Sequence, residues 1–133
     1  MGDDIMRDSE SERKESAAGA GASSPAARIG LEQFQKVELR VATVRSAEKI
    51  SGSRKLLQLS VDLGSEQRTL VAGIALVYEP EALVGRQVIV VANLEPANLM
   101  GVQSDGMVLA ADAAGRPILA GFADPVPNGA RVR

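Results

Sequence analysis

A chain of 133 residues, 45% apolar and 24% charged, has room for one domain and little more. It contains no Cys and no His, which excludes disulfides, thiol nucleophiles, zinc-finger ligand sets and imidazole acid–base catalysis. The net charge of −2 is uneven: residues 1–27 carry three basic and six acidic side chains, residues 28–133 twelve and eleven, so the bulk of the chain is near neutral rather than strongly basic.

Residues 1–28 run from mixed charge without periodicity into A-A-G-A-G-A-S-S-P-A-A. Small residues of this kind bury too little surface to offset chain entropy, so this stretch is expected to be a flexible leader or linker. The alternative, a partner-docking helix over residues 7–18, lacks an apolar stripe. The first residues do not show the basic-then-apolar order of a secretory signal, and no run approaches the roughly 20 apolar residues of a membrane span. A cytoplasmic protein is expected.

Residues 29–36 place Leu31 and Phe34 three apart, which predicts one apolar-faced helical turn. Residues 37–50 form a long first strand, with Val37, Leu39, Val41 and Thr43 in one phase. Val44 falls off that phase and predicts a bulge or bend near Thr43. After a turn at residues 51–54, Leu57, Leu59, Val61 and Leu63 alternate through a second strand. Residues 64–67 turn the chain into a third strand over 68–73. Pro80 is placed to start a short helix, and residues 87–92 form a fourth strand.

The stretch that follows, residues 93–107, reads N-L-E-P-A-N-L-M-G-V-Q-S-D-G-M. Its Pro, Gly, Asn and Ser-Asp-Gly are turn chemistry, and it is read as a loop carried on two packed strands, the second over residues 107–111. Two methionines inside so polar a connection suggest a function. Residues 112–115 turn again, and V-P-N-G-A-R-V-R closes the sequence.

Three elements of this loop, Asn93-Leu94-Glu95-Pro96, Leu99-Met100-Gly101 and Ser104-Asp105-Gly106-Met107, resemble in order and spacing the signature of a tRNA-binding domain family. It comprises the C-terminal domain of bacterial methionyl-tRNA synthetases, stand-alone structure-specific tRNA-binding proteins and tRNA-recruiting cofactors of eukaryotic synthetase complexes. The resemblance covers residues 29–133. It implies an all-β fold: a five-stranded Greek-key barrel of the oligonucleotide/oligosaccharide-binding (OB-fold) type, with short helices and an appended C-terminal subdomain. The part after the barrel resembles the segment by which bacterial members pair, so a homodimer is implied.

The implied RNA-binding residues are Arg40, Lys49, Arg54, Lys55, Asn93, Met100, Ser104 and Met107. Lys55 before Leu56 matches the family's Lys-Leu on its RNA-facing side. Alternatives stay open for each: Arg40 reads equally as a carboxylate partner, the turn cations as solvated charges, Asn93 as a bridge to backbone, and both methionines as core. Ala97 and Asn98 stand where members commonly carry basic residues, which implies a salt slope lower by ~1.8 for two missing phosphate contacts.

Nothing in the sequence assembles a reaction site. Ser104-Asp105-Gly106 reads as a tight turn, and Glu79 and Glu81 as charges favoured at a helix start. No metal or cofactor is expected. The function implied is that of a non-catalytic module that binds tRNA by shape and assists methionyl-tRNA synthetase, in cis or in trans. The competing readings are a chaperone-like peptide-binding relative of the same barrel, and a scaffold whose role is its dimer interface.

Overall fold

The first strand has to satisfy two sheets, and its sequence shows how. In the computed structural model, which describes residues 27–133, β1 spans Leu39–Lys49 and buries residues 41–44 without a break. A strand facing water on one side would alternate; four buried residues in a row mark the point where the chain passes between layers. Its first half pairs antiparallel with β4 (Gln87–Val91), Leu39 opposite Val91 and Thr43 opposite Gln87. Its second half pairs with β2 (Leu57–Asp62), and the register shifts between Val44 and Ser46. The bulge predicted near Thr43 is therefore at Arg45. At the bend the backbone of Val44 stays satisfied, because its N–H donates to the Arg86 carbonyl at 2.9 Å and its carbonyl accepts from Gly85 N–H at 2.8 Å.

β2 alternates buried and half-buried residues along its whole length, as the sequence implied. It pairs with β3 (Gln67–Ala72), Leu57 opposite Ala72 and Asp62 opposite Gln67. Between β3 and β4 the short helix α2 (Pro80–Leu83) begins at Pro80 and pushes Leu83 fully into the core. That core is aliphatic, built on Leu57, Leu59, Leu70, Val88 and Val90.

Residues 97–104, expected to be irregular, form a hairpin of β5 (Ala97–Leu99) and β6 (Val102–Ser104). β7 (Met107–Val108) then pairs with β4, giving the strand order β3-β2-β1-β4-β7. The sheet is curled enough for β3 to meet residues 104–106, where Asp105 N–H donates to the Thr69 carbonyl at 2.9 Å. The all-β barrel expected from the sequence is what forms.

The C-terminal extension divides in two. β8 (Ala110–Ala113) and β9 (Arg116–Leu119) make a separate hairpin whose first strand is wholly exposed. The remainder returns to the barrel as β10 (Arg131–Val132), a sixth strand in the main sheet, pairing with β1. The segment before β10 is tied down on the way: the Asn128 side-chain oxygen accepts from Thr43 Oγ1 at 2.7 Å, and Gly129 N–H donates to the Val41 carbonyl at 2.7 Å.

The residues Gln35–Arg133 make one compact unit. The predicted helical turn is α1 (Leu31–Gln35), but it buries no residue, and Leu31 and Phe34 are exposed instead of forming a covered face. The expectation for residues 1–28 lies outside the described residues except at its last two positions. Among those described, no helix is long and apolar enough to cross a membrane.

Gly129 has φ +87°, and a Cβ there would overlap the Leu63 carbonyl oxygen. Gly129→Ala is expected to lower stability by more than about 2 kcal/mol, the left-handed strain plus a backbone clash. Gly85→Ala, at φ +91° with open space around it, is expected to cost only about 1 kcal/mol. Urea midpoints compare the two; equal losses would show that the docked C-terminal segment does not constrain the barrel.

Candidate functional site

The loop between β4 and β7 is held at its start by Asn93. Its side-chain oxygen accepts from Glu38 N–H at 2.9 Å and its amide donates to the Lys36 carbonyl at 2.6 Å, so both ends pin the chain leading into β1. Seven residues on, the β5–β6 hairpin turns through Met100 and Gly101 with φ of 53° and 82°. Two successive positive φ values make a mirror-image turn that matches strand twist, and a methionine rarely occupies one. The Asn98 side chain supports it by accepting from Gly101 N–H at 3.2 Å. The turn puts the Met100 methyl 3.3 Å from where a Cβ on Gly52 would stand. The hairpin tip therefore rests on the β1–β2 turn.

At the end of the loop Ser104 is buried. Its hydroxyl accepts from Val71 N–H at 2.9 Å and donates to the Gly106 carbonyl at 3.1 Å. Gly106, at φ +138°, packs so tightly that a Cβ would lie 2.9 Å from Leu70 and 3.1 Å from the Val91 carbonyl. The Ser-Asp-Gly element thus closes the sheet onto β3, and the buried Ser104 spends its one donor and one of its acceptor sites on the fold. Met107, in β7, is 46% exposed rather than core.

The cations separate into two groups. Lys49, Arg54 and Lys55 are exposed around the β1–β2 turn and make no ion pair among the described residues. Ser53 Oγ shapes that turn by accepting from the N–H groups of Lys55 and Leu56 at 3.2 and 3.1 Å. Arg40 and Arg45 are committed to the fold. Arg40 pairs with Glu38 and donates to the Gly129 carbonyl at 2.8 Å; Arg45, at the bulge, pairs with Asp62 at 2.7 Å. Of the residues picked from sequence, Lys49, Arg54 and Lys55 lie at the β1–β2 turn on which Met100 rests, whereas the side chains of Arg40, Asn93 and Ser104 are bonded within the fold.

Sequence reasoning passed over Arg68. It lies in a cleft of about 400 Å³ that also contains Glu38, Arg40, Glu66 and Asn128. It binds the Glu66 carboxylate through two nitrogens at 3.1 and 3.2 Å, donates to the Ala92 carbonyl, and lies 3.7 Å from Asp105. An Arg between polar neighbours, two residues after Glu66, was the available signal, but Ala92 and Asp105 are not readable from spacing. A second cleft of about 640 Å³, lined by Arg86, Phe122 and Asp124 among others, contains none of the residues picked from sequence. Among the described residues no group of three or more carboxylates could hold a metal ion.

These ion pairs shift two carboxyls. The Arg45 hydrogen bond, helped by Gly64 N–H, holds Asp62 below its ordinary value. The Arg68 hydrogen bond does the same for Glu66, which in turn raises the guanidinium of Arg68.

Residues 39–131 match the family model described as "Putative tRNA binding domain". The methionine–tRNA ligase of Methanothrix thermoacetophila is 55% identical over 105 residues, 79% of this chain but 16% of that enzyme; the chain spans about one sixth of such a relative's length. Among solved structures, a MetRS-related protein from Pyrococcus horikoshii is 40% identical with a TM-score of 0.78, over 81% of this chain and all of that one. The chaperone CsaA from Bacillus anthracis is 31% identical with a TM-score of 0.75, over 80% of this chain and all of that one.

Because Asp62 and Glu66 are held below their ordinary values, they contribute stability above the unfolded carboxylate range of about 4. That contribution is lost as pH falls through it, when the unfolded chain takes up protons the folded one refuses. The urea midpoint is expected to fall between about pH 5 and pH 3. A chain carrying Asp62→Asn and Glu66→Gln should fall less steeply; parallel curves would contradict the assignment.

Proposed function

This chain belongs to the tRNA-binding domain family, and from that membership we propose that it binds tRNA on the face where the β1–β2 turn meets the hairpin tip, without performing a reaction. The observation that carries the reading is the Met100 side chain seated on Gly52, which joins the family signature to the three exposed cations of the neighbouring turn. Lys49, Arg54 and Lys55 meet phosphates, and the sugar–phosphate shape of a folded RNA sets which RNA fits. Base stacking has little part in it. The chain has two Phe and one Tyr, and the Tyr78 hydroxyl already accepts from Leu119 N–H at 3.0 Å.

The biological role we propose is to raise the local tRNA concentration for methionyl-tRNA synthetase in the cytoplasm, as part of the same chain or alongside it. Support comes from the relatives, methionine–tRNA ligases several times longer than this chain. We propose further that two copies pair through the β8–β9 side, where Ile118 and Phe122 are each 37% exposed. Pairing would let two modest RNA faces act on one tRNA, which multiplies affinity without new contacts.

A second reading has its own support. Leu94, Leu99, Met100 and Met107 are exposed apolar side chains on the same loop, and the CsaA structure is a chaperone. An unfolded peptide would suit such side chains.

Binding of tRNA is expected to weaken with salt, and Arg54→Ala with Lys55→Ala to lower the log–log salt slope by about 1.8, two phosphate contacts at about 0.9 each. An unchanged slope would sink the RNA face proposed here. Peptide binding with no tRNA shift would favour the chaperone reading. In sedimentation, Ile118→Asp is expected to convert a dimer into a monomer; an unaltered dimer would place the interface elsewhere.

A further inference from the structure

The loop that carries the family signature is tied to the barrel at both ends by a single guanidinium. Arg68 lies on β3, across the line where the curled sheet meets itself. Its Nη1 donates to the carbonyl of Ala92, the residue before the loop begins, and its Nε lies 3.7 Å from the Asp105 carboxylate, where the loop ends. The Glu66 carboxylate takes Nε and Nη2 together and fixes the plane of the group. With its side chain only 18% exposed, Arg68 turns its donors toward protein and has little surface to offer a ligand.

We propose that Arg68 is the positioning residue of this site: it fixes where the β5–β6 hairpin stands relative to the β1–β2 turn, and so where Met100 meets Gly52. The functional half of this proposal rests on the tRNA-binding reading; the geometric half does not. The neighbouring contacts explain why one residue carries the task. The Asp105 N–H to Thr69 and the Val71 N–H to Ser104 hold only the end of the loop. Asn93 holds only its start, and holds it to the chain before β1 rather than to β3. Arg68 alone among the described side chains reaches both from β3. A lysine in its place offers one point charge and cannot span three acceptors in fixed directions.

The test uses the free protein and the protein with tRNA. With methyl-labelled methionine, Arg68→Met is expected to move the Met100 methyl resonance in the folded free protein, and Arg68→Lys not to restore it. A residue that merely adds stability would lower the urea midpoint and leave that resonance in place, which would overturn the proposal. With tRNA, Arg68→Met is expected to weaken binding about tenfold, on the scale of a contact set loosened by its support, with the salt slope unchanged. A slope lower by about 0.9 would mean that Arg68 touches phosphate itself, which would also overturn it. If wild-type protein binds no tRNA while the Met100 methyl still moves, the RNA reading fails and the positioning stands. Should Arg68→Met not fold, Glu66→Gln and Asp105→Asn remove its partners one at a time, and the same methyl shift is expected, smaller.

Discussion

The bend of β1 is the constraint on which the rest depends. At Val44 the strand leaves one partner and takes another, and its N–H and carbonyl are handed to Arg86 and Gly85 instead of to a neighbouring strand. Unpaired in a buried position, each of those groups would cost about 1–3 kcal/mol, so the chain leaving α2 is as much a part of β1 as its own residues. Because the bend is stabilised there, the far half of β1 can carry the turn with Lys49, Arg54 and Lys55 away from β10 and toward the signature loop. The Arg45–Asp62 pair straddles the bulge and contributes modestly, as an exposed pair does.

A motif shared by a family is easily taken for a list of ligand contacts. Here its residues have two different tasks. Asn93, Ser104 and Gly106 are joints: a bridge to the chain before β1, a hydroxyl capping a β3 amide, and a backbone position too crowded for a side chain. Leu99, Met100 and Met107 are what those joints present to solvent. The spacing of the motif is thus set by the width of the barrel seam at one end and by a two-residue turn in the middle.

Much of this was legible in the sequence, and what was not has physical reasons. The second strand could be read from Leu57, Leu59, Val61 and Leu63 because period-2 burial acts on each residue separately. Pro80 announced its helix, and the off-phase Val44 announced a bend, expected near Thr43, that occurs two residues on at Arg45. The β5–β6 hairpin was invisible because strands of three residues show no periodicity, and Asn98 and Gly101 are turn formers whichever structure flanks the turn. Arg40 was readable as a carboxylate partner, and Glu38 and Glu66 stand two residues before Arg40 and Arg68. Their backbone partners were not readable, because Gly129 at a separation of 89 residues and Ala92 at 24 lie beyond any spacing rule. The docked return of residues 126–132 escaped notice for the same cause. The exposure of Leu31 and Phe34 shows the converse error, since an apolar pair at helical spacing does not by itself secure a surface to cover it.

That return has a bearing on how the domain comes into being. Leu39 and Arg40 lie opposite Val132 and Arg131, so that end of β1 keeps one side bare until the ninety-odd residues after it have been synthesised. Pairings this distant in sequence close slowly, since loop entropy must be overcome before any contact rewards it. In the interval that short sheet margin is naked, and β1 waits on residues 131 and 132 for its protection.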